Sequence, residues 1–455
     1  MSGKKLTHLT GTFLIQADAA FLNGAGLGEG EDQNVTIPKT FRDGKNEVPY
    51  VSAQAWRRWL RNTLIEETKW QASELKAIGW NPKGNVNKIA AELNPVDFVE
   101  DDIFGYMRAE KGQGLRSKEG EEGEEDVETR TKSIMRASPF MSSILISLRT
   151  TGWKGRDEGF VHLTKYDPKA LAEADIKRFL SVPSKSKTDV WDELREYDKA
   201  LYETAKVCVD KNELGELRRL LLDKAKDKGE LDFIKNPCSP LPYTTRFYHT
   251  NLQGVFCLNY GRLGVFWNLG DRIELEESIA KRLLLEEKIK DVTKEEAYKS
   301  LSDDGKIGRI YMLADKVKPA PKDRAIALIK ALAVLRGGAK QAQFGTDVSP
   351  KVLVIAGLTC GNPIFNNLFR DDQEGPVLKV ETLKEIIQDY TDRILTPVFI
   401  GIRTGYLKNE NEVKTLDGME IKPKVTSEGS KNNPPVKIIV KTPIDVALAI
   451  GQYLQ

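Results

Sequence analysis

The 455-residue chain is poor in the residues that build metal and redox sites. It has four cysteines, Cys208, Cys238, Cys257 and Cys360, with no CxxC or CxH spacing, and three histidines, His8, His162 and His249. That arithmetic argues against a structural zinc site and against a disulfide framework, and no metal or cofactor is expected. Long apolar runs are missing too. The longest, such as Val352 to Leu358, are of strand length, whereas a bilayer-spanning helix needs about 20 apolar residues. Lys4 and Lys5 precede a segment, Leu6 to Ala20, with the outline of a signal peptide, but Thr7, His8, Thr10, Thr12, Gln16 and Asp18 interrupt it. The expectation is a soluble, cytoplasmic protein. An excess of one charge is also absent. With 69 Lys and Arg against 67 Asp and Glu, the net charge of +2 excludes both a polyanionic tail and a histone-like polycation. Catalytic signatures fail in turn: there is no GxxxxGK[ST], no GxSxG, and in the loop Asn23 to Glu31 the glutamates Glu29 and Glu31 stand where the last glycine of GxGxxG belongs. No catalytic residue is assigned. Asp18 and Asp32 are the only carboxylates considered for acid or base work, and loop aspartates are usually only solvated.

What is present is a chain with 40% hydrophobic residues, enough for a sizeable core in several domains or in one domain with large insertions. Residues 6 to 17 alternate Leu9, Phe13 and Ile15 with Thr10, Thr12 and Gln16, which predicts a strand buried on one face. Ser52 is placed to cap a helix over 53–68, whose apolar residues Ala53, Trp56, Trp59, Leu60 and Leu64 recur at helical spacing. Glu119 to Glu128, with seven of ten side chains acidic, reads as a solvated loop. A strand follows at 140–148, then about 90 charged residues, then a long β pattern at 243–267 in which Gly254, Gly261 and Gly264 suggest a hairpin or bulges. Residues 273–316 read as charged helices and 324–335 as a more apolar helix. Gly337-Gly338 and a buried strand at Val352-Leu-Val-Ile355 come next, and the tail predicts a helix at 382–395, a strand at 398–402 and a last helix at 443–453. Strand, helix, strand, strand, helix, strand is the outline of an α+β, ferredoxin-like or RNA-recognition-motif core with two insertions.

Two constellations carry chemistry. On a helical wheel Gln54, Arg57, Arg58 and Arg61 fall within about a quarter turn, opposite Trp56, Trp59 and Leu60, and no acid intervenes until Glu66. Charged faces of soluble helices usually alternate sign, so three unbalanced guanidinia point to an anion, with Ser52 and Gln54 as neutral donors near the positive helix end. A solvated surface is the bland alternative. The second constellation is Leu335-Arg-Gly-Gly-Ala-Lys-Gln-Ala-Gln343, where glycines let a ligand approach the backbone and Lys340 and Gln341 add a charge and a donor. Its bland alternative is a glycine C-cap followed by a surface lysine.

Four anchors occur in order: Leu9-Thr-Gly-Thr-Phe-Leu with Ala20-Phe-Leu-Asn23-Gly, Val51-Ser-Ala-Gln-Ala-Trp-Arg-Arg-Trp-Leu-Arg61, Asp102-Ile-Phe-Gly-Tyr-Met107, and Gly337-Gly-Ala-Lys-Gln341 with Asp347-Val-Ser-Pro-Lys351. Together they resemble the backbone subunit of CRISPR type I Cascade complexes, the Cas-seven family, in its DevR-type branch found with type I-B systems. The resemblance implies a right-hand fold whose palm is a modified RNA-recognition motif made of residues 1–66, 137–149, 250–270 and 320–455. Fingers would be 67–136, the thumb 150–249, and 271–319 a helical insertion.

It further implies a non-catalytic subunit that polymerises head to tail along CRISPR guide RNA and meets target DNA only through the guide, beside a small capping subunit and a large subunit. By the same resemblance Ser52, Gln54, Arg57 and Arg61, with Arg58 beside them, match helix contacts to the guide. Gly338, Lys340 and Gln341 match its glycine-lysine turn, and Asn23 matches an asparagine at the end of the first strand. Met135 with Arg136 matches a methionine packed near a displaced base. The rival within the superfamily is the type III backbone class, guide-dependent ribonucleases whose aspartate lies where Asp32 sits; against it, Val51-Ser-Ala-Gln-Ala-Trp departs from that class's glycine- and lysine-rich helix signature. A solitary RNA-recognition-motif protein with unrelated insertions is the third reading.

Overall fold

The computed structural model describes residues 4–27, 35–74, 76–80, 86–90, 92–108, 133–161, 241–270, 272–295, 298, 308–371, 374–424 and 434–454, and the statements below concern these residues. The acidic run 119–128, Asp32 and most of the expected thumb lie outside them. The chain divides into two compact units, one of residues 1–26, 37–155 and 246–455, the other of residues 27–36 and 156–245. In the second unit Val35 and Thr36 pair in parallel with Thr244 and Thr245. No helix among the described residues is long and apolar enough to cross a membrane.

The first unit is built on six elements in the expected order: β1 (His8–Ala20), α1 (Ala53–Thr68), β2 (Leu145–Ser147), β3 (Leu241–Asn259, of which residues from 246 belong to this unit), α2 (Pro321–Ala333) and β4 (Val352–Leu358). β1 pairs antiparallel with β3, as Thr12 with Val255, and with β4, as Leu14 with Val352, while β2 sets Ile146 against Gln253 of β3. The order is therefore β4-β1-β3-β2, all antiparallel, which is the sheet of the ferredoxin-like, RNA-recognition-motif fold in the α+β class. Strands 398–402 and 436–441 extend the sheet beyond β4, and 46–51 and 40–43 extend it beyond β2.

α1 forms where its capping signal predicts. The Ser52 hydroxyl accepts from the Ala55 N–H at 3.4 Å, Lys69 closes the helix in the left-handed region, and Trp56, Leu60, Thr63 and Leu64 are buried. Trp56 packs edge-on against Phe13 and Phe140, 5.3 and 5.8 Å between ring centroids, and its Nε1–H donates to the Ser143 carbonyl at 2.7 Å. With α2 and the helix Pro443–Ile450 this covers one face of the sheet.

Three expectations change. β1 is buried on both faces rather than one, because Leu14, Val352 and Val354 join Leu383 and Ile387 of helix Val380–Asp389 in a second core. Thr10 and Thr12 survive there because their hydroxyls donate to the Phe256 and Gly254 carbonyls. The turn of the long β pattern falls at Tyr260–Arg262, and Gly254 stays inside β3. The segment expected as a helical insertion, 271–319, contributes one helix, Glu277–Leu285, and, beyond the short strand at its start, two more strands, Ile289–Asp291 and Gly308–Leu313. Those strands belong to a sheet that also takes Val265–Leu269, Arg272–Ile273, Ile134–Arg136 and Tyr106–Arg108, so part of the expected fingers and this insertion share one layer. Local charge misled here: Val265, Ile310 and Val292 supply a small apolar core between polar outer residues.

At the edge of that layer, Asp101 of helix Val99–Phe104 is buried, its Oδ2 without a partner, and burial pushes its carboxyl up to about 7. Below pH 4 it is protonated folded and unfolded alike; between about 4 and 7 only the folded form holds the proton, so stability falls as pH rises, by at most about 1.4 kcal/mol per unit. Asp101→Asn, which mimics the protonated form, should raise the urea midpoint at pH 8 and change it little near pH 4.5. A difference that stays constant with pH would mean that Asp101 ionises as an ordinary aspartate.

Candidate nucleic-acid interface

Three segments far apart in sequence meet at the start of α1. The Asn23 side-chain carbonyl accepts from the Ser52 N–H at 3.1 Å, so Asn23 and Ser52 fix the path of the chain into the helix. Leu22 donates its N–H to the Tyr248 hydroxyl at 3.0 Å and accepts at its carbonyl from the Ala339 N–H at 2.9 Å. The glycine turn is thus laid against the end of β1. On its other side Arg336 N–H donates to the Thr63 hydroxyl at 3.1 Å, tying the turn to α1.

The turn needs its glycines. Gly337 has φ +149° and Gly338 φ +108°, and a Cβ on Gly337 would lie 2.3 Å from Trp59 Cγ. Lys340 then takes the left-handed region at φ 50°, its Nζ 5.2 Å above the Phe21 ring, and Gln341 folds back so that its Nε2–H donates to the Gly337 carbonyl. Residues 21–23 thus link turn and helix: the turn is bonded to Leu22 and its Lys340 lies over Phe21, while Asn23 is bonded to Ser52 at the head of the helix on which Gln54 is exposed.

The arginines divide. Arg57 turns inward: Nη1 donates to the Phe140 carbonyl and the Ser142 hydroxyl, Nη2 to the Phe104 carbonyl at 3.1 Å and the Ser138 hydroxyl at 2.9 Å, and the guanidinium lies over the Phe104 and Phe140 rings. Its acceptors are all neutral, and burial lowers its pKa. Arg61 is paired in bidentate fashion with the buried Glu100 and also donates to the Ser73 carbonyl at 2.8 Å. Only Arg58 is exposed, with no partner among the described residues. Where the sequence offers three guanidinia, one, Arg58, stands exposed.

Arg136 does not belong to a surface at all. It is 2% exposed, and its guanidinium is consumed by Asp102, Glu274 at 2.9 Å and the carbonyls of Asp102, Val265 and Arg262. The expectation that it touches a ligand is corrected by that burial. Met135, its neighbour on the strand, faces outward at 42% exposure, directly opposite the exposed Met107. Asp18, considered as an acid or base, is an exposed carboxylate beside His249, Oδ1 to Nδ1 3.2 Å, and also accepts from the Gln16 amide. Among the described residues no cluster of His, Cys, Asp and Glu is arranged to hold a metal ion.

No family model matches the sequence, and no curated protein matches it. Solved structures similar to it include a CRISPR RNA-guided surveillance complex, 9% identical over 98% of this chain and 99% of that one, with a TM-score of 0.36. Another is a CRISPR RNA-guided surveillance complex in a pre-nicking state, 9% identical over 98% of this chain and 100% of that one, with a TM-score of 0.42. Likeness of that degree bears no weight; the fold assignment rests on the strand order β4-β1-β3-β2.

Proposed function

We propose that this chain is a guide-RNA-binding backbone subunit of a type I-B Cascade-like effector. In this reading it is a scaffold rather than an enzyme. Copies polymerise along CRISPR guide RNA and hold it for pairing with target DNA, alongside a small capping subunit and a large subunit. The observation that carries the reading is that residues 22–23 are hydrogen-bonded both to Ser52 at the helix start and to Ala339 of the glycine turn; in this reading Arg58 and Lys340 are the cations of the surface they build and Gln54 a neutral donor. Such a surface suits phosphate and sugar contacts. They fix a strand's position while base pairing reads its sequence. A local grip also needs no basic protein, in keeping with the net charge of +2.

The test is the salt dependence of binding to a guide-length single-stranded RNA, read by fluorescence anisotropy. Arg58→Ala and Lys340→Ala should each flatten log Kobs against log salt by about 0.7, one single-strand phosphate contact apiece. Slopes equal to the parent's would leave this surface as ordinary solvated polarity. Sedimentation of the parent on the same RNA should show several copies per strand; one copy at saturation would end the backbone reading.

A further inference from the structure

A second polar site, unused by the reading above, lies near the same end of β1 and β3, where Gln16 pairs with Asn251 and Ala20 with Tyr248. Gln16 and Asp18 of β1, Arg149 after β2, His249 and Asn251 of β3, Lys351 before β4 and the turn Arg403–Tyr406 line one cavity of about 390 Å³. The site is constructed from within. Asp371, its side chain fully buried, accepts from Arg149 Nε at 2.8 Å and from Asn251 Nδ2 at 2.7 Å, and the Asn251 side-chain carbonyl accepts from the Tyr406 hydroxyl at 2.7 Å. Tyr406 in turn bonds through its N–H to the Arg403 carbonyl, and the Arg403 N–H donates to the Lys351 carbonyl at 2.8 Å. A buried polar chain of this kind costs desolvation, and here it holds two arginines at one cavity.

Those arginines have donors to spare. Among the described residues the Arg149 side chain bonds only through its Nε, which leaves both terminal nitrogens, and the half-buried Arg403 has no side-chain partner. Lys351 adds a third cation, held by Asp347. The lining acids do not answer them: Asp18 is engaged by His249 and Gln16, and Glu374 by Lys408. Two guanidinium forks at one small cavity match the geometry of a tetrahedral oxyanion.

We infer that this cavity binds a phosphate group, held by Arg403 and the terminal nitrogens of Arg149. The phosphate is that of a nucleic-acid strand or of a free nucleotide or phosphate ion; the chemistry is the same, and the experiment separates the sources. His249, within the cavity, is the reporter. With three histidines in the chain its NMR resonances are assigned by His249→Gln. Inorganic phosphate and a short single-stranded RNA without terminal phosphates are titrated in turn into the full chain carrying Arg58→Ala and Lys340→Ala, so that groove binding is suppressed.

Movement of the His249 resonances by inorganic phosphate alone assigns a free anion, and movement by the RNA assigns a strand. Either should be weakened about tenfold or more by Arg403→Gln, the loss of a charge-assisted contact. Arg403 makes no side-chain bond that folding needs, so the variant's melting temperature should match the parent's. Unmoved resonances with both probes, or equal shifts in Arg403→Gln, overturn the proposal. The groove reading stands or falls separately on its salt slopes.

Discussion

Asp102→Asn should cost about 3–5 kcal/mol of stability, the range for removing one partner of a buried ion pair. Asp102 is wholly buried and joins four segments: it pairs with Arg136 of strand 134–136, with Arg324 of α2 at 2.7 Å, and through both oxygens accepts from the Gly264 N–H, while itself standing on helix 99–104. Asparagine keeps the shape and loses the charge. Its amide then directs N–H at groups that are themselves donors, and two guanidinia are left with one carboxylate fewer. Arg136 retains Glu274, but among the described residues Arg324 keeps only the Pro319 and Pro95 carbonyls.

An exposed pair such as Lys384 with Glu381 gives the contrast, since breaking it should cost well under about 1 kcal/mol. Urea unfolding measures both. A loss below about 1 kcal/mol for Asp102→Asn would show that water already reaches the network. Adding Arg136→Met to Asp102→Asn should cost less than the two changes separately, because the second removes a charge that the first has stranded.

That network also marks where sequence reasoning stopped. α1 was legible to the residue because its signals are local: a serine cap, then apolar residues at helical spacing. The destination of its arginines was not. Arg57 finds acceptors at Phe104 and Phe140, and Arg61 finds Glu100, all supplied by chain 39 or more residues away. A helical wheel fixes an angle about the axis, and long side chains then reach sideways under a neighbouring segment that the wheel does not contain. Arg136 carried a signal that went unread, since Ile134 and Arg136 share one side of a short strand and Met135 takes the other, so an outward methionine implied an inward arginine. The phosphate cavity had no signal to read. Arg149, His249 and the turn that carries both Arg403 and Tyr406 come from separate strand ends, and only the strand order brings them together.

Gly337→Ala should destabilise the protein by at least about 2 kcal/mol and weaken RNA binding, although it removes no charge and no donor. Two costs add. The backbone at φ +149° is one that side chains other than glycine rarely adopt, worth about 1–3 kcal/mol. The new methyl group also meets Trp59 at Cγ, Cβ and Cδ1, between 2.3 and 2.7 Å, the root of a side chain packed against the core rather than a movable tip, and overpacking of that kind costs about another 1–3 kcal/mol.

Relief by shifting the turn would pull Ala339 from the Leu22 carbonyl and carry Lys340 away from Phe21, so the RNA salt slope should flatten as it does for Lys340→Ala. Gly345→Ala is the control. That residue is also left-handed, at φ +57°, but nothing stands within 4 Å of a Cβ there, so only the backbone cost of about 1 kcal/mol applies and RNA binding should match the parent's. Equal losses of stability in the two variants would mean that the turn is not seated on Trp59, and an unchanged salt slope in a destabilised Gly337→Ala would separate the turn's packing from any grip on phosphate.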